Sequence, residues 1–434
     1  MMRENLTWPK RMVLALTIFS LFFGAGNLIF PPYLAFQAGE NITKAFPGFA
    51  ITAILFPILG LVSVAKAEGI DNLSSRVGKT FSFLFTLVVY LAIGPCLAIP
   101  RTASTSYEMF ASAISADNKV IEAVYSIAFF SLAALFSLRP EKLAEKLGKV
   151  LSPALLTLLL ILFLSSMAIY PEDAVMDIHQ NYSATPFFQG FLDGYQTMDA
   201  AAALVFGMVV VLNAKTLSEG RNVDLVREEA KSGFIAAILL FAVYFALVVI
   251  GRVSGYYWND VSNGTMLLSN ITGGVFGQFG KVFIAAIFMI ACFNTCVGLL
   301  SSCATYFEKL FPKPGYIKWL MIFAVSSALI ANAGLDAIIK ASVPALSLLY
   351  PIVLILIVLS LFPYKSGMNI IYKLSTLFAF IPSLLHVLSS YLESFAKLDS
   401  YLPFSESGLG WVVPALIGLS IGLLIFSIRS IEKK

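Results

Sequence analysis

The chain has 434 residues, of which 59% are hydrophobic and only 12% are charged, and its net charge is +4. Because soluble proteins carry about 25% charged residues, this composition excludes a soluble protein and indicates an integral membrane protein. The basic residues lie in short loops between apolar segments, so the positive charge does not favour nucleic acid as a partner.

Apolar segments of about 20 residues recur along the chain, which is the length of a membrane-spanning helix rather than of a barrel strand. We therefore predict an all-α polytopic membrane protein with twelve spans. They cover residues 12–36, 46–66, 80–112, 120–138, 150–170, 190–213, 233–253, 276–307, 316–333, 338–362, 368–391 and 411–429. No loop is long enough for a soluble domain, so the chain forms a single membrane domain.

Loop charge predicts the orientation. With the N-terminus in the cytoplasm, the inner loops and ends hold 22 of the 29 basic residues and the outer loops hold six. Basic residues are enriched on the cytoplasmic side of membranes. Both termini are therefore predicted to be cytoplasmic. The outer loops 254–275 and 392–410 are rich in Gly, Ser, Tyr and Asn, and we interpret them as connectors rather than as covers over an entrance.

The first span is interrupted near its centre by Gly24-Ala25-Gly26-Asn27, and Pro31-Pro32 follow. Gly and Asn loosen a helix, and Pro removes a backbone donor. Inside a bilayer, non-helical backbone survives only where protein or a water-filled cavity covers it. We therefore predict a broken helix that lines a site. Anions favour the N–H groups that start its second half, and cations favour the carbonyls that end its first half.

The sixth span opens with the polar stretch Asp193 to Asp199 before a run of alanines. Spans one and six begin the two halves of a five-plus-five repeat, and an odd number of spans inverts the second half. Interrupted segments at corresponding positions of two halves indicate a transporter site. The alternative is an ordinary helix whose acidic outer end favours the helix dipole.

Spans three and eight carry further polar residues. Arg101 and Glu108 are about 10 Å apart along a helix axis, so each is expected to meet a group on another span, such as Asp199. If this region lies at the outer interface instead, Arg101 snorkels to water. Asn294 and Thr295 supply oxygens that suit hard cations such as Na⁺, or they form an interhelical hydrogen bond.

Several stretches together resemble the bacterial branched-chain amino-acid carriers (BrnQ type, LIVCS family) of the amino acid–polyamine–organocation superfamily. They are Phe22 to Pro32 with Gln37-Ala38-Gly39, Gly94-Pro95 with Pro100 to Ala103, Gly194-Tyr195 with Thr197-Met198-Asp199, and Ser342-Val343-Pro344 with Tyr350-Pro351. The resemblance implies a cation-coupled importer of leucine, isoleucine and valine in the bacterial plasma membrane. It also implies the LeuT-like fold, with inverted repeats at 12–170 and 190–362, broken helices 1 and 6, and two further spans within 368–429.

The resemblance also implies roles for individual residues. The substrate carboxylate would meet the unwound centre of span one, and the amino group would meet carbonyls in span six. These segments are Gly24, Ala25, Gly26 and Asn27, and Thr197, Met198, Asp199 and Ala200. The aliphatic tail is expected among Phe22, Tyr107 and Phe206. A sodium site between spans one and eight would use the carbonyls of Ser20 and Phe23 and groups from Ala291, Asn294 and Thr295. No further cofactor and no obligate protein partner is indicated.

Four functions stay open at this point. The first is Na⁺-coupled symport, although Asn294-Thr295 stands where many sodium-coupled relatives have two adjacent hydroxyl residues. The second is proton coupling through Asp199 or Glu108. The third is a membrane-embedded enzyme that uses these two carboxylates, but the chain has only two histidines and no nucleotide or metal motif. The fourth is a passive channel. We expect a transporter and not an enzyme.

Overall fold

The computed structural model describes residues 5–114, 118–138, 149, 151–170 and 176–431. Its α-helices, in chain order, are α1 (Trp8–Phe22), α2 (Ala25–Ala38), α3 (Ile42–Ala50), α4 (Phe56–Ala67), α5 (Ile70–Ser75), α6 (Lys79–Leu91), α7 (Ala98–Ile114), α8 (Lys119–Ser137), α9 (Ser152–Met167), α10 (Gln180–Ser183), α11 (Pro186–Asp193), α12 (Asp199–Ser218), α13 (Leu225–Tyr257), α14 (Gly264–Phe276), α15 (Gln278–Leu310), α16 (Gly315–Ala331), α17 (Leu335–Leu361), α18 (Asn369–Ser389), α19 (Glu393–Asp399) and α20 (Val412–Ile431).

Shorter helical turns join some of these helices. Two are π-helical, Ile51–Leu55 and Ala92–Cys96, and three are 3₁₀-helical, Gly39–Asn41, Gly194–Thr197 and Ser405–Ser407. The π-helical turn between α3 and α4 continues the helix directly, whereas the one between α6 and α7 contains a kink at Gly94, whose backbone is not helical (φ -86°, ψ -124°).

Nine helical segments of the described residues are long and apolar enough to cross a membrane, and α9 and α16 are shorter apolar helices. Large apolar side chains cover the outside of the helices: Phe234, Leu329 and Leu424 are 66%, 73% and 62% exposed. Water would oppose such a surface, whereas lipid chains accept it. The prediction of an all-helical polytopic membrane protein is confirmed for the described residues.

Each predicted span overlaps one helix or consecutive helices of the described residues, and the number of twelve spans stays a prediction. The loop 254–275 differs from our interpretation, because it contains α14. The Asn263 side chain caps this helix by accepting the Met266 N–H at 3.0 Å. α14 also packs tightly on α2, since a Cβ added at Gly264 would lie 2.0 Å from the carbonyl oxygen of Ile29. This part of the loop is therefore a helix folded against the first span and not a plain connector, and α19 likewise lies within 392–410.

Some basic residues that carry the predicted orientation lie outside the described residues. They are Arg3, Arg139, Lys142, Lys146, Lys433 and Lys434. The orientation of the termini stays a prediction.

Both predicted breaks are present. α1 ends at Phe22 and α2 begins at Ala25, with Phe23 and Gly24 in extended backbone. The second break separates α11 from α12 by a 3₁₀ turn and by Met198, which has a left-handed backbone with φ 66°. α2 contacts the 3₁₀ turn and α1 contacts α12. The two breaks therefore face each other inside the helical bundle, and the polar stretch Asp193 to Asp199 is not the outer end of an ordinary helix.

Candidate transport site

The first break frees backbone carbonyls at the end of α1. The Phe23 N–H still donates to the Phe19 carbonyl at 2.8 Å. The Gly24 N–H turns away and donates to Asn27 Oδ1 at 3.0 Å. In an unbroken helix this N–H would satisfy the carbonyl of Ser20. The end of α1 therefore presents carbonyl oxygens toward the break.

Helix α15 reaches these carbonyls through Thr295. Its hydroxyl donates to the carbonyl of Leu21 at 3.2 Å. The approach is close, because a Cβ added at Gly24 would lie 2.6 Å from Thr295 Oγ1. Thr295 thus lies where a site between spans one and eight was predicted, and Leu21 is an additional member that the sequence did not indicate.

The other predicted ion ligands are buried near this junction or on the same helix. Ser20 Oγ and both polar atoms of the Asn294 amide have no hydrogen-bond partner within the described part of the chain. Ala291 is fully buried on α15. Buried oxygens without a partner carry a cost of about 1–3 kcal/mol each.

The second break is shaped by small residues. The Met198 N–H donates to the Tyr195 carbonyl at 2.9 Å, and the Thr197 hydroxyl donates to the Gly194 carbonyl at 2.9 Å. Only glycine fits at position 194, since an added Cβ would lie 1.8 Å from Thr52 Oγ1. Met198 follows this turn, and α12 begins at Asp199.

The carboxylate of Asp199 is hydrogen-bonded to Asn27, which lies in the first turn of α2. Its Oδ2 accepts a hydrogen bond from the Asn27 amide nitrogen and another from the Tyr244 hydroxyl, the latter at 3.3 Å. The Asn27 amide nitrogen also contacts the Tyr244 hydroxyl. All three side chains are buried. This triad joins α2, α12 and α13 at the centre of the bundle.

Arg101 is buried beside the same breaks, with only 3% of its surface exposed. Its Nη1 donates to the carbonyl of Gln196 at 2.7 Å and its Nη2 to that of Thr197 at 3.4 Å. The guanidinium also lies over the Phe30 ring, 5.7 Å from the centroid. Arg101 does not snorkel to an interface, and it meets the second break as one of the two sequence interpretations expected.

A small cavity lies where the breaks face each other. Its volume is about 20 Å³, which is the space of about one water molecule. Its lining residues are Leu21, Phe22, Gly24, Ala25, Gly26, Asn27, Ala98, Arg101, Thr102, Thr197, Met198, Asp199, Ala202, Phe206, Thr295 and Leu299. Admission of an amino acid requires the surrounding helices to move apart.

Comparison with known proteins identifies the family. The family model described as "branched-chain amino acid transport protein" matches residues 9–429. The chain belongs to this family of membrane transporters. It is 34% identical to the branched-chain amino acid permease BraB of Bacillus subtilis over 98% of this chain and 97% of the relative. It is 36% identical to the branched-chain amino acid permease BrnQ of the same organism over 96% of this chain and 97% of the relative. It is also 36% identical to BrnQ of Corynebacterium glutamicum over 95% of this chain and 94% of the relative.

Solved structures share the fold of this family member at low sequence identity. Mhp1, a nucleobase-cation-symport-1 family transporter, aligns with a TM-score of 0.65 and 12% identity over 98% of this chain and 92% of Mhp1. A Na⁺-coupled sialic acid symporter aligns with a TM-score of 0.64 and 12% identity over 95% of this chain and 89% of the symporter. MhsT in complex with L-phenylalanine aligns with a TM-score of 0.57 and 15% identity over 98% of this chain and 99% of MhsT. These are LeuT-fold transporters, so the likeness shows that fold. The family consists of transport proteins and not of enzymes.

Two predicted residues, Tyr107 and Glu108, lie away from the central cavity. The Tyr107 hydroxyl donates to the Asn118 carbonyl at 3.0 Å. Glu108 Oε1 accepts from the Thr265 hydroxyl at 2.8 Å and so links α7 to α14. Both line a separate cavity of about 650 Å³ at the other end of α7. Tyr107 therefore does not line the central cavity with Phe22 and Phe206 in this structure, because it lies near the end of α7, beyond the stretch that contacts the breaks.

Ala200 and Phe23 are buried, but neither is among the residues that line the cavity. Sequence reasoning missed Tyr244, although a hydroxyl in the middle of the apolar α13 is itself a signal. It also missed Leu21 and Thr102, which the cavity includes. Leu21 contacts Thr295 through its backbone carbonyl, which every residue has, so the type of its side chain does not indicate this contact.

Proposed function

We propose that this protein is a secondary active symporter that imports leucine, isoleucine and valine together with Na⁺ by alternating access. The observation that carries the proposal is the central cavity, in which the ends of broken helices meet apolar rings. We further propose twelve spans in the bacterial cell membrane with both termini in the cytoplasm. The inverted repeats would cover residues 12–170 and 190–362, followed by two spans within 368–429.

The first turn of α2 is proposed to receive the substrate carboxylate. The N–H groups of Ala25, Gly26 and Asn27 occupy the first helical positions, where no intrahelical acceptor exists. The N-terminus of a helix attracts anions through these N–H groups and the helix dipole. Gly24 and Gly26 allow Thr295 and Arg101 to approach this turn closely, because a Cβ at either position would lie within 2.7 Å of their side chains.

The apolar side of the cavity accounts for an aliphatic substrate. Phe22 and Phe206 meet edge to face there, with ring centroids 5.9 Å apart, and Leu299 and Ala202 complete this side. Each buried CH₂ contributes about 0.8 kcal/mol. A leucine side chain therefore gains about 2 kcal/mol over that of alanine, which favours branched-chain substrates.

Na⁺ is proposed to bind as the co-transported substrate between α1 and α15. The donors are the carbonyl oxygens of Ser20 and Leu21, the Thr295 hydroxyl and Ser20 Oγ. This is a set of uncharged oxygens of the kind that binds hard cations. Na⁺ at this junction would hold the end of α1 against α15 and so favour one conformation. Coupling then arises because each solute binds that conformation more tightly than the other.

Proton coupling through Asp199 is the second candidate. The observation that favours it is a buried carboxylate whose Asn27 and Tyr244 partners are uncharged. Such a group binds a proton without losing a salt bridge. Glu108 is the weaker alternative, because it is half-buried and bonded to Thr265 at the outer end of α7.

Uptake of labelled leucine into proteoliposomes tests the proposal. We expect accumulation with an inward Na⁺ gradient at fixed pH and none with choline in place of Na⁺. Excess isoleucine or valine should compete fully, and excess alanine weakly. Accumulation driven by a proton gradient without Na⁺ would transfer the coupling role to Asp199. A passive channel would equilibrate leucine without accumulation, and failure of all three branched-chain amino acids to compete would refute the substrate assignment.

A further inference from the structure

Arg101 is a buried cation that forms no salt bridge within the described part of the chain. Its contacts are the carbonyls of Gln196 and Thr197 and the ring of Phe30. Among the described residues, no carboxylate oxygen lies within 4.0 Å of its guanidinium nitrogens. A buried charge is costly unless it is paired and hydrogen-bonded. Asp199 lines the same cavity without forming an ion pair with Arg101, so the guanidinium can take an anionic ligand as its direct partner.

The guanidinium has hydrogen bonds to spare. It carries five N–H donors, and the two carbonyl contacts leave at least one N–H on each Nη atom. The Nε atom is buried without any partner in the described part of the chain. Arg101 is therefore able to keep its hold on the second break while it donates to a carboxylate.

The position of Arg101 favours the same anion as the first turn of α2. A Cβ added at Gly26 would lie 2.7 Å from Arg101 Nη2. The guanidinium and the free N–H groups of α2 thus border one spot in the central cavity. An anion held at this spot meets a full positive charge in addition to the partial charge of the helix end.

Asp199 provides the opposite charge at the same cavity. Its partners Asn27 and Tyr244 are neutral, and no cationic nitrogen of the described residues lies within 4.0 Å of its carboxylate. Two of the carbonyls predicted for the amino group already accept one hydrogen bond each: that of Thr197 from Arg101, and that of Met198 from the Ala202 N–H at 2.9 Å. The carboxylate of Asp199 is the stronger partner for an ammonium group.

We propose that Arg101 binds the α-carboxylate of the transported amino acid and that Asp199 binds its α-ammonium group. This inference rests on the proposed function and specifies the substrate class as zwitterionic α-amino acids. One zwitterion neutralises both buried charges at once, whereas a ligand with a single charge leaves one of them unpaired. The transporter should therefore reject the amide and the keto acid that share leucine's side chain.

Competition against labelled leucine tests each contact with purified protein. The ligands are leucine, leucinamide, which lacks the negative charge, and 4-methyl-2-oxopentanoate, which lacks the ammonium group. Loss of a hydrogen-bonded charge pair should cost roughly 10- to 100-fold in affinity. In the parent protein both analogues should bind at least 10-fold more weakly than leucine. In Arg101→Gln, the affinity for leucine should fall to about that for leucinamide, while the affinity for leucinamide should change little.

Asp199→Asn is the complementary variant. It should lower the affinity for leucine and leave the affinity for the keto acid unchanged, so that the protein no longer prefers leucine over the keto acid. Thermal stabilisation by millimolar ligand replaces competition where affinity is too low for labelled leucine. If Arg101→Gln does not fold, Arg101→Lys provides the same test, because a selective loss of leucine over leucinamide is expected for the shorter, less well matched cation.

The outcomes separate the two proposals. Equal loss of leucine and leucinamide in the Arg101 variants would overturn the inference and show that Arg101 only ties α7 to the second break. Equal binding of leucine and both analogues by the parent protein would overturn it as well. If the parent protein binds none of the branched-chain amino acids, the proposed function itself fails.

Discussion

Asn27 and Asp199 lie 172 positions apart and are hydrogen-bonded where the two broken helices face each other. The same Asn27 side chain accepts the Gly24 N–H through its oxygen. One side chain therefore fixes the local shape of the first break and its position relative to the second. Any movement of α2 away from α12 must rearrange this amide.

Replacement of Asn27 with alanine should reduce leucine uptake more than 10-fold. The change leaves the Gly24 N–H without its acceptor and removes one donor from Asp199, and each unsatisfied buried group costs about 1–3 kcal/mol. Initial uptake rates per amount of membrane-inserted protein provide the measurement. Asn72→Ala is the matched control, since the Asn72 amide donates only to the Glu68 carbonyl on an exposed surface. Equal rates in the two variants would refute the role of Asn27.

Thr295→Val should raise the Na⁺ concentration needed for half-maximal uptake about 10-fold, while Thr295→Ser stays close to the parent. Valine has nearly the shape of threonine but lacks the hydroxyl that contacts the Leu21 carbonyl, and loss of one oxygen ligand costs on the order of 1.5 kcal/mol. Leucine uptake at graded Na⁺ concentrations measures the effect.

Thr305→Val is the control on the same helix. The Thr305 hydroxyl donates within α15 to the Ser301 carbonyl at 2.8 Å and faces away from the break. Its replacement should leave the Na⁺ dependence unchanged. A Thr295→Val variant with the Na⁺ dependence of the parent would rule out this threonine as an ion ligand.

Gly26→Ala should abolish leucine binding. The new methyl group would lie 2.7 Å from Arg101 Nη2 and 3.1 Å from the Thr197 Cα, so either the guanidinium or the second break must shift. Gly273→Ala in α14 is the matched control, because nothing lies within 4 Å of a Cβ added there. Equilibrium binding of labelled leucine distinguishes them, and parent-like binding by Gly26→Ala would show that the cavity tolerates movement of Arg101.

The start of α1 is attached to α13 by a buried ion pair. Arg11 donates to Glu228 Oε2 through Nε at 2.9 Å and Nη2 at 2.8 Å, and Lys231 contacts Glu228 Oε1 at 2.8 Å. The Glu228 side chain is only 1% exposed. Removing one partner of a buried pair costs about 3–5 kcal/mol. Glu228→Gln should therefore lower the unfolding temperature of the purified protein by several degrees.

Glu219→Gln is the control for the ion pair at the start of α1. Glu219 pairs with Lys10 at 2.6 Å, but its side chain is 64% exposed, and exposed pairs contribute little to stability. Its replacement should leave the unfolding temperature unchanged. If Glu228→Gln unfolds at the same temperature as Glu219→Gln, the buried pair does not hold α1 in place.

The sequence predicts the spans and both breaks because each has a local cause. Hydropathy marks the apolar helices, and Gly24 with Gly26 and the polar run before α12 mark the interruptions. Helix α14 escaped prediction because its 13 residues are too few to span a bilayer and include three glycines. A short helix of this kind owes its stability to packing against α2, which no local pattern reports.

Partners across the bundle were harder to predict than breaks. Helical spacing shows that Arg101 and Glu108 share a face, but it does not show which neighbour each position of α7 meets. Arg101 reaches the second break, whereas Tyr107 and Glu108 lie beyond it. Tyr244 joins Asn27 from 217 positions away, and such a contact depends on the tertiary arrangement alone.

The dependence of leucine affinity on Na⁺ tests the central claim most directly. Binding of labelled leucine to the purified protein would be measured at constant pH and ionic strength, with choline replacing Na⁺. We predict that Na⁺ raises the affinity at least 10-fold and that leucine raises the apparent affinity for Na⁺ by the same factor, because coupling between two sites is reciprocal. A leucine affinity that does not depend on Na⁺ but changes with pH would contradict the proposal of a sodium site between α1 and α15.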